Sequence, residues 1–387
     1  MRWPHWKGSR WAATGLAIGS ALVLVYLAGP SSGSPKPRNT AAGLWTFRTD
    51  GILRTAPAVA DGVVYVSDGH GTVYAMDAAT GDERWSREMD FMFFSSPAVA
   101  DGVVYVGGNG GRVYAMDAAT GDERWTHKLR DLIFSSPTVA NGVVYIGGGE
   151  DDRQLHALDA ATGDELWAHR MEQMIVSKPA VVDGIVYASS TDGNVYALDA
   201  ATGAIRWTHE TGDWIGSSPA VVDGVVYVGS YDRKVYALDA TTGLARWTHG
   251  IGDVTNCSPA VADGVVYIGG NDGKVYALDA VTGAERWTHK TGGPTNSSPA
   301  VADGVVYIGS SDNKVYALDA ATGAERWSRP TNDRVRTPLT VSGGVVYVTS
   351  EDGTVYAMEA KTGFGTPRTP PATGPRPMGQ AVTPPRR

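Results

Sequence analysis

The chain runs to 387 residues with 49 Gly, 12 Trp and a single Cys; it is 42% hydrophobic and carries a net charge of -8. That composition is globular, and one cysteine, Cys257, excludes a disulfide framework, a CxxC redox pair and a cysteine-based zinc site. Neither residues 1–40 nor 364–387 contain an acid, which leaves 24 basic against 41 acidic residues in 41–363 and argues against a nucleic-acid partner.

The amino end reads as a membrane signal. Residues 1–10 carry Arg2, Lys7 and Arg10, which place them in the cytoplasm. The uncharged run 11–29 that follows reaches roughly 28 Å as a helix, close to the thickness of the hydrocarbon core. Trp3, Trp6 and Trp11 suit the headgroup interface. Two readings stand here, an uncleaved signal anchor and a cleaved signal peptide, and Pro30 after Leu27-Ala28-Gly29 makes a poor cleavage context. Both export the body. No cysteine stands near this segment to carry a lipid anchor, and residues 30–42 read as a flexible spacer.

A repeat of about 40 residues fills the rest. Its acidic marker falls at Asp77, Asp117, Asp159, Asp199, Asp239, Asp279, Asp319 and Glu359, every 40 residues but for one step of 42 near 149–153. In the unit 217–249, SSPAVVDG, VVYVGS, KVYALD and LARWTH read as four short strands joined by turns such as Asp223-Gly224. Four antiparallel strands per repeat without helical periodicity predict an all-β propeller. Trp recurs on the fourth strand as Trp85, Trp125, Trp167, Trp207, Trp247, Trp287 and Trp327. The eighth repeat stops without its Trp, and Trp45 lies one period before Trp85. The amino-terminal strand is therefore expected to complete the last of eight four-stranded blades, giving a propeller over 43–363 without an open edge. Residues 364–387, rich in Pro and Arg, read as a disordered tail.

The string Ala75-Met76-Asp77-Ala78-Ala79-Thr80-Gly81-Asp82-Glu83-Arg84-Trp85 has the form AxDxxTGxxxW. It resembles the tryptophan-docking motif of pyrroloquinoline quinone (PQQ)-type propellers, a superfamily that includes quinoprotein alcohol dehydrogenases, BamB-like assembly proteins and sensor domains. The resemblance implies that each Trp packs between blades and that the Asp and Thr-Gly turn order the motif. It also opens an alternative activity, a PQQ-dependent dehydrogenase using calcium. Dehydrogenases of this type usually carry an adjacent cysteine pair and long insertions, which this chain lacks. Asn256, Asp253 and Arg336 are the nearest candidates for a calcium site and base. With no GxSxG or HExxH motif either, the expectation is a non-enzyme without a cofactor.

Chemistry is expected where near-identical repeats diverge, in the connector before each inner strand. Phe91, Phe93, Phe94 and Phe134 fall in two adjacent connectors. Met89, Met92, Leu132, Ile133, Met171, Met174, Ile175, Trp214 and Ile215 extend an apolar arc over four blades, read as a surface for a partner. The residue opening each inner segment is Phe94, Phe134, Val176 and Gly216 on one side, and Asn256, Asn296, Arg336 and Arg54 on the other. Facing a channel, the second set suits an anion, unless the arginines pair with Asp253, Asp333 or Asp50. The histidines after each Trp, such as His127 and His209, sit one per blade and cannot converge on a metal. The reading is an exported, membrane-anchored and monomeric scaffold or sensor, whose partner is an envelope protein or peptide segment or a small anionic or amphipathic ligand.

Overall fold

A computed structural model describes residues 44–89 and 94–364. Residues 1–10, the apolar run 11–29, residues 30–42 and nearly all of 364–387 lie outside the described residues, as do Phe91, Met92 and Phe93.

Eight four-stranded antiparallel sheets account for every strand. The first blade is Ala58–Ala60, Val63–Ser67, Thr72–Asp77 and Glu83–Glu88, paired in that order. β-Branched and aromatic residues favour the strand, and a two-residue turn fixes the first hairpin. Asp61 (φ 48°) and Gly62 (φ 73°) both lie in the left-handed region, as a type I′ turn requires. Asn141-Gly142 and Gly343-Gly344 repeat the geometry where the sequence departs from Asp-Gly. Pairing of the third with the fourth strand slips at Ala75/Met76, a bulge that recurs in blades two to seven. The last blade is Thr340–Ser342, Val345–Thr349 and Thr354–Glu359, completed by Trp45–Arg48 from the other end of the chain. Innermost strands touch their neighbours all the way round, the last against the first, so the ring closes.

The core is divided into eight apolar wedges, each shared by two blades. Between blades four and five, Tyr187, Val195 and Trp207 meet Val226, Tyr236 and Leu238. Every fourth-strand Trp reaches into the next blade: Trp207 Nε1 donates to the Ala240 carbonyl at 2.9 Å, and Trp45 to that of Ala78 at 2.9 Å. The same carbonyls accept a tyrosine hydroxyl, from Tyr187 and Tyr347 respectively. Under the Trp207 ring lies Gly243 at φ 73°, where an added Cβ would stand 2.6 Å from the indole. Asp239 Oδ1 accepts the N–H groups of Thr241 and Thr242, its Oδ2 takes Arg246, and these bonds hold its pKa down to about 2. The carboxylate of Glu359, one methylene longer, accepts the Thr362 hydroxyl and, among the described residues, none of the turn's N–H groups.

Candidate functional site

The connectors leave the outer strand of one blade and cross to the inner strand of the next. They share a face with the hairpins between second and third strands, and the two are tied by hydrogen bonds. Gly69 N–H donates to the Ile52 carbonyl, Thr191 to Met174, Tyr231 to Trp214, Asn271 to Val254 and Glu351 to Arg334. These bonds anchor the backbone two residues before five of the channel-mouth positions, and the side chains there stand outward. Ile52, Leu132 and Trp214 are 41%, 40% and 38% exposed, Met174 and Val254 are half-buried, and Pro294 is exposed. Large apolar side chains at aligned positions therefore run round the face, interrupted by the charged Arg334. Ile52, Val254 and Pro294 were not among the residues singled out from sequence; aligning the connectors by register, not by aromatic content, finds them.

The expected apolar arc is divided by this geometry. Ile133, Ile175 and Ile215 are fully buried, and Met171 is nearly so. They fill the wedges between blades: Ile133 presses on Gly107 and Ile175 on Gly147, where an added Cβ would come within 2.5 Å. They are core residues and belong to no surface. Leu132, Met174 and Trp214 remain outside, with the Trp214 ring 6.0 Å from that of Tyr231.

The mouth positions form a second circle inside the first. Phe94 and Phe134, both half-buried, stack with centroids 6.0 Å apart, and Val176 and Gly216 follow. Asn256 donates to the Tyr231 hydroxyl at 2.5 Å and lies over Gly216, leaving no room there for a Cβ. Burial, opposed by that bond, raises the Tyr231 pKa. Asn296 is half-buried in the next sector. Among the described residues, the arginines meet Glu351, with no ion pair to Asp253 or Asp333. Arg54 Nε lies 3.4 Å and Arg336 Nη1 3.9 Å from one carboxylate oxygen of Glu351, and Arg336 Nε also donates to Ser311. Two guanidiniums on one carboxylate give this trio a net positive charge.

This donor set does not fit a calcium–quinone pair. Glu351 is already engaged by two cations, and among the described residues no group of three or more His, Cys, Asp or Glu is placed to hold a metal. Cys257 stands fully buried where other blades have Ser or Thr; burial pushes its thiol up to about 12. Two of the histidines after the tryptophans pack against the following blade, His209 on Tyr236 and His289 on Tyr316.

Blade three departs in another way. His156 replaces the motif tyrosine and is 3% exposed, with Nε2 2.9 Å from buried Asp152 and Nδ1 2.8 Å from Glu165. Burial opposes its protonation, but the bonds to the two carboxylates outweigh it and raise its pKa. Asp152, four residues before His156 and beside the insertion in the 149–153 turn, stands where Asp192 and Asp232 accept the motif tyrosine hydroxyl in their blades. The sequence marked the insertion but not its partner.

Eight blades, a closing amino-terminal strand and wedge-packed tryptophans define a PQQ-type propeller. A family model described as outer membrane protein assembly factor BamB matches residues 38–91, 89–177, 151–299 and 282–364, and the chain belongs to that family. No curated protein matches it. BamB from Moraxella catarrhalis is 22% identical, with a TM-score of 0.72 over 83% of this chain and 99% of that one. The computationally designed Ika8 protein is 21% identical, with a TM-score of 0.74 over 81% and 97%. Quinohemoprotein alcohol dehydrogenase from Comamonas testosteroni is 18% identical, with a TM-score of 0.70 over 89% and 78%. At these identities the likeness is one of fold.

Proposed function

We propose that this protein is a non-enzymatic binding propeller that holds an apolar segment of another protein on its connector face, outside the cytoplasm. The observation that carries the reading is the outward circle of Ile52, Leu132, Met174, Trp214 and Val254. Exposed apolar side chains scattered singly need no explanation, but a circle of them in register on one face marks an interaction surface. The opposite face, with its Thr-Gly turns, exposes isolated residues such as Leu244 and Val281. Membership of the BamB family agrees with an assembly or scaffold role, and the run at 11–29 supplies the means of export and anchoring.

Site-specific photo-cross-linking in the native cell tests the reading. A cross-linker at Trp214 or Leu132 should capture a discrete protein partner, and one at Val281 should not. Replacing Met174 and Ile52 together with Ser should reduce that capture while the melting temperature stays within a few degrees. Equal capture from both faces, or none from the connector face, contradicts the proposal.

A further inference from the structure

Two residues deeper than the mouth circle, each blade presents one more position to the axis. Around most of the ring a backbone N–H there is answered by a side-chain hydroxyl one blade on. Ala56 donates to Ser96, Ser96 to Ser136, Lys178 to Ser218, Ser218 to Ser258 and Ser258 to Ser298, all at 2.8–2.9 Å. This bracelet lies two residues before the innermost strands, on the segments that lead into them, so it encircles the channel. Neighbours spaced roughly 5.5 Å apart, like hydrogen-bonded strand partners, close into a ring of roughly 7 Å radius. A lysine side chain spans most of that radius.

Between blades three and four the pattern inverts. The hydroxyl that would answer Ser136 N–H belongs to position 178, and that residue is Lys. An acceptor has been exchanged for a cation. Among the described residues, neither Ser136 N–H nor Lys178 Nζ has a hydrogen-bond or ion-pair partner. Lys178 is exposed to water, yet enough protein crowds it that desolvation lowers its pKa. Both hold for a side chain standing in a water-filled concavity, and the axial channel is that concavity. Blade eight also breaks the bracelet, at Pro338, but adds no charge.

Above these donors the mouth is apolar. Phe134 and Val176 stand two residues earlier on the connectors that carry Ser136 and Lys178, and Phe94 stacks on Phe134. We propose that Lys178 Nζ and Ser136 N–H form a carboxylate site inside the axial channel, for a monoanion whose apolar tail rests against Phe94 and Phe134. A flexible lysine ammonium beside a fixed N–H could offer one donor to each oxygen of a carboxylate. One cation balances one negative charge, which favours a monoanion over a dianion in a confined site. The site uses residues other than the outward apolar circle, so it stands or falls separately from partner docking.

Calorimetric titration of the full-length protein with sodium octanoate, octanamide, acetate and inorganic phosphate tests it. Octanoate should bind one-to-one, and roughly tenfold or more tighter than octanamide or phosphate. Lys178→Ser restores the hydroxyl found in five blades, so it should melt no lower than wild type while binding octanoate at least tenfold more weakly. Lys178→Arg should retain binding. Phe134→Ser should weaken octanoate and leave acetate unchanged. Octanoate binding that survives Lys178→Ser, phosphate binding as tight as octanoate, or no octanoate binding to wild type overturns the proposal. Loss of cross-linking from Trp214 with octanoate binding intact would refute partner docking alone.

Discussion

Ring closure by Trp45 allows a quantitative test. Trp45 is 5% exposed, its Nε1 donates 2.9 Å to Ala78, and its indole lies on Gly81 at φ 73°. Its strand pairs four residues against Thr354–Ala357, and Thr49 extends the junction by donating to Gly353. Trp45→Ala removes a buried indole and leaves a cavity, a change that costs about 3–5 kcal/mol. Trp45→Phe keeps most of the apolar contact, and the Ala78 carbonyl still accepts Tyr347 at 3.2 Å. The loss should then be about 1–2 kcal/mol, mainly the missing hydrogen bond and ring area. Trp207→Ala, which breaks the equivalent bond to Ala240, is the internal reference. Urea denaturation reads all three as shifts in midpoint at constant slope. Trp45→Ala should lose at least as much as Trp207→Ala, because its strand is held from the far end of the chain. A loss below about 1 kcal/mol would refute closure by this strand.

Two further outcomes follow from buried polar groups. His156 has a folded-state pKa above its ordinary 6.5, so its stabilisation is fully present below that value and lost as pH rises through the folded value. Asp152 is shifted the other way, down from 3.8, because the bonds from His156 and Gln154 outweigh burial; its contribution disappears as pH falls through its folded value. The melting temperature should therefore decline as pH rises above about 6.5, and His156→Tyr, which restores the repeat residue, should flatten that decline; an unchanged pH profile would refute the assignment. Cys257, fully buried with its thiol pushed up to about 12, should resist a thiol reagent in the native protein and react stoichiometrically in denaturant. Native reaction at the rate of the unfolded chain would contradict its burial.

Much of the fold was legible because the repeat states it eight times. The Asp-Gly dipeptides dictate their turns by backbone sterics, and the position of Trp45 one period before Trp85 predicted the closing strand. The site was legible only in part, because a connector interleaves surface and wedge residues over three consecutive positions. Ile133 and Leu132 are indistinguishable by hydropathy, yet Ile133 is fully buried and Leu132 is 40% exposed. In most connectors a hairpin bond to the backbone of the outward residue fixes which side chain turns out, and that bond joins segments about seventeen residues apart, such as Thr191 and Met174. Arg54 meeting Glu351 across the chain ends is a consequence of closure and carries no local signal. His156 and Asp152 could be seen only as a motif exception beside an insertion.

We propose that this ring binds a partner and performs no quinone chemistry. A calorimetric titration of PQQ with excess calcium into the purified protein tests it most directly. No saturable heat is expected, since Glu351 is engaged by Arg54 and Arg336 and no group of three or more His, Cys, Asp or Glu is placed to hold the metal among the described residues. Saturable one-to-one binding at micromolar affinity or tighter would contradict it and make a dehydrogenase the better description.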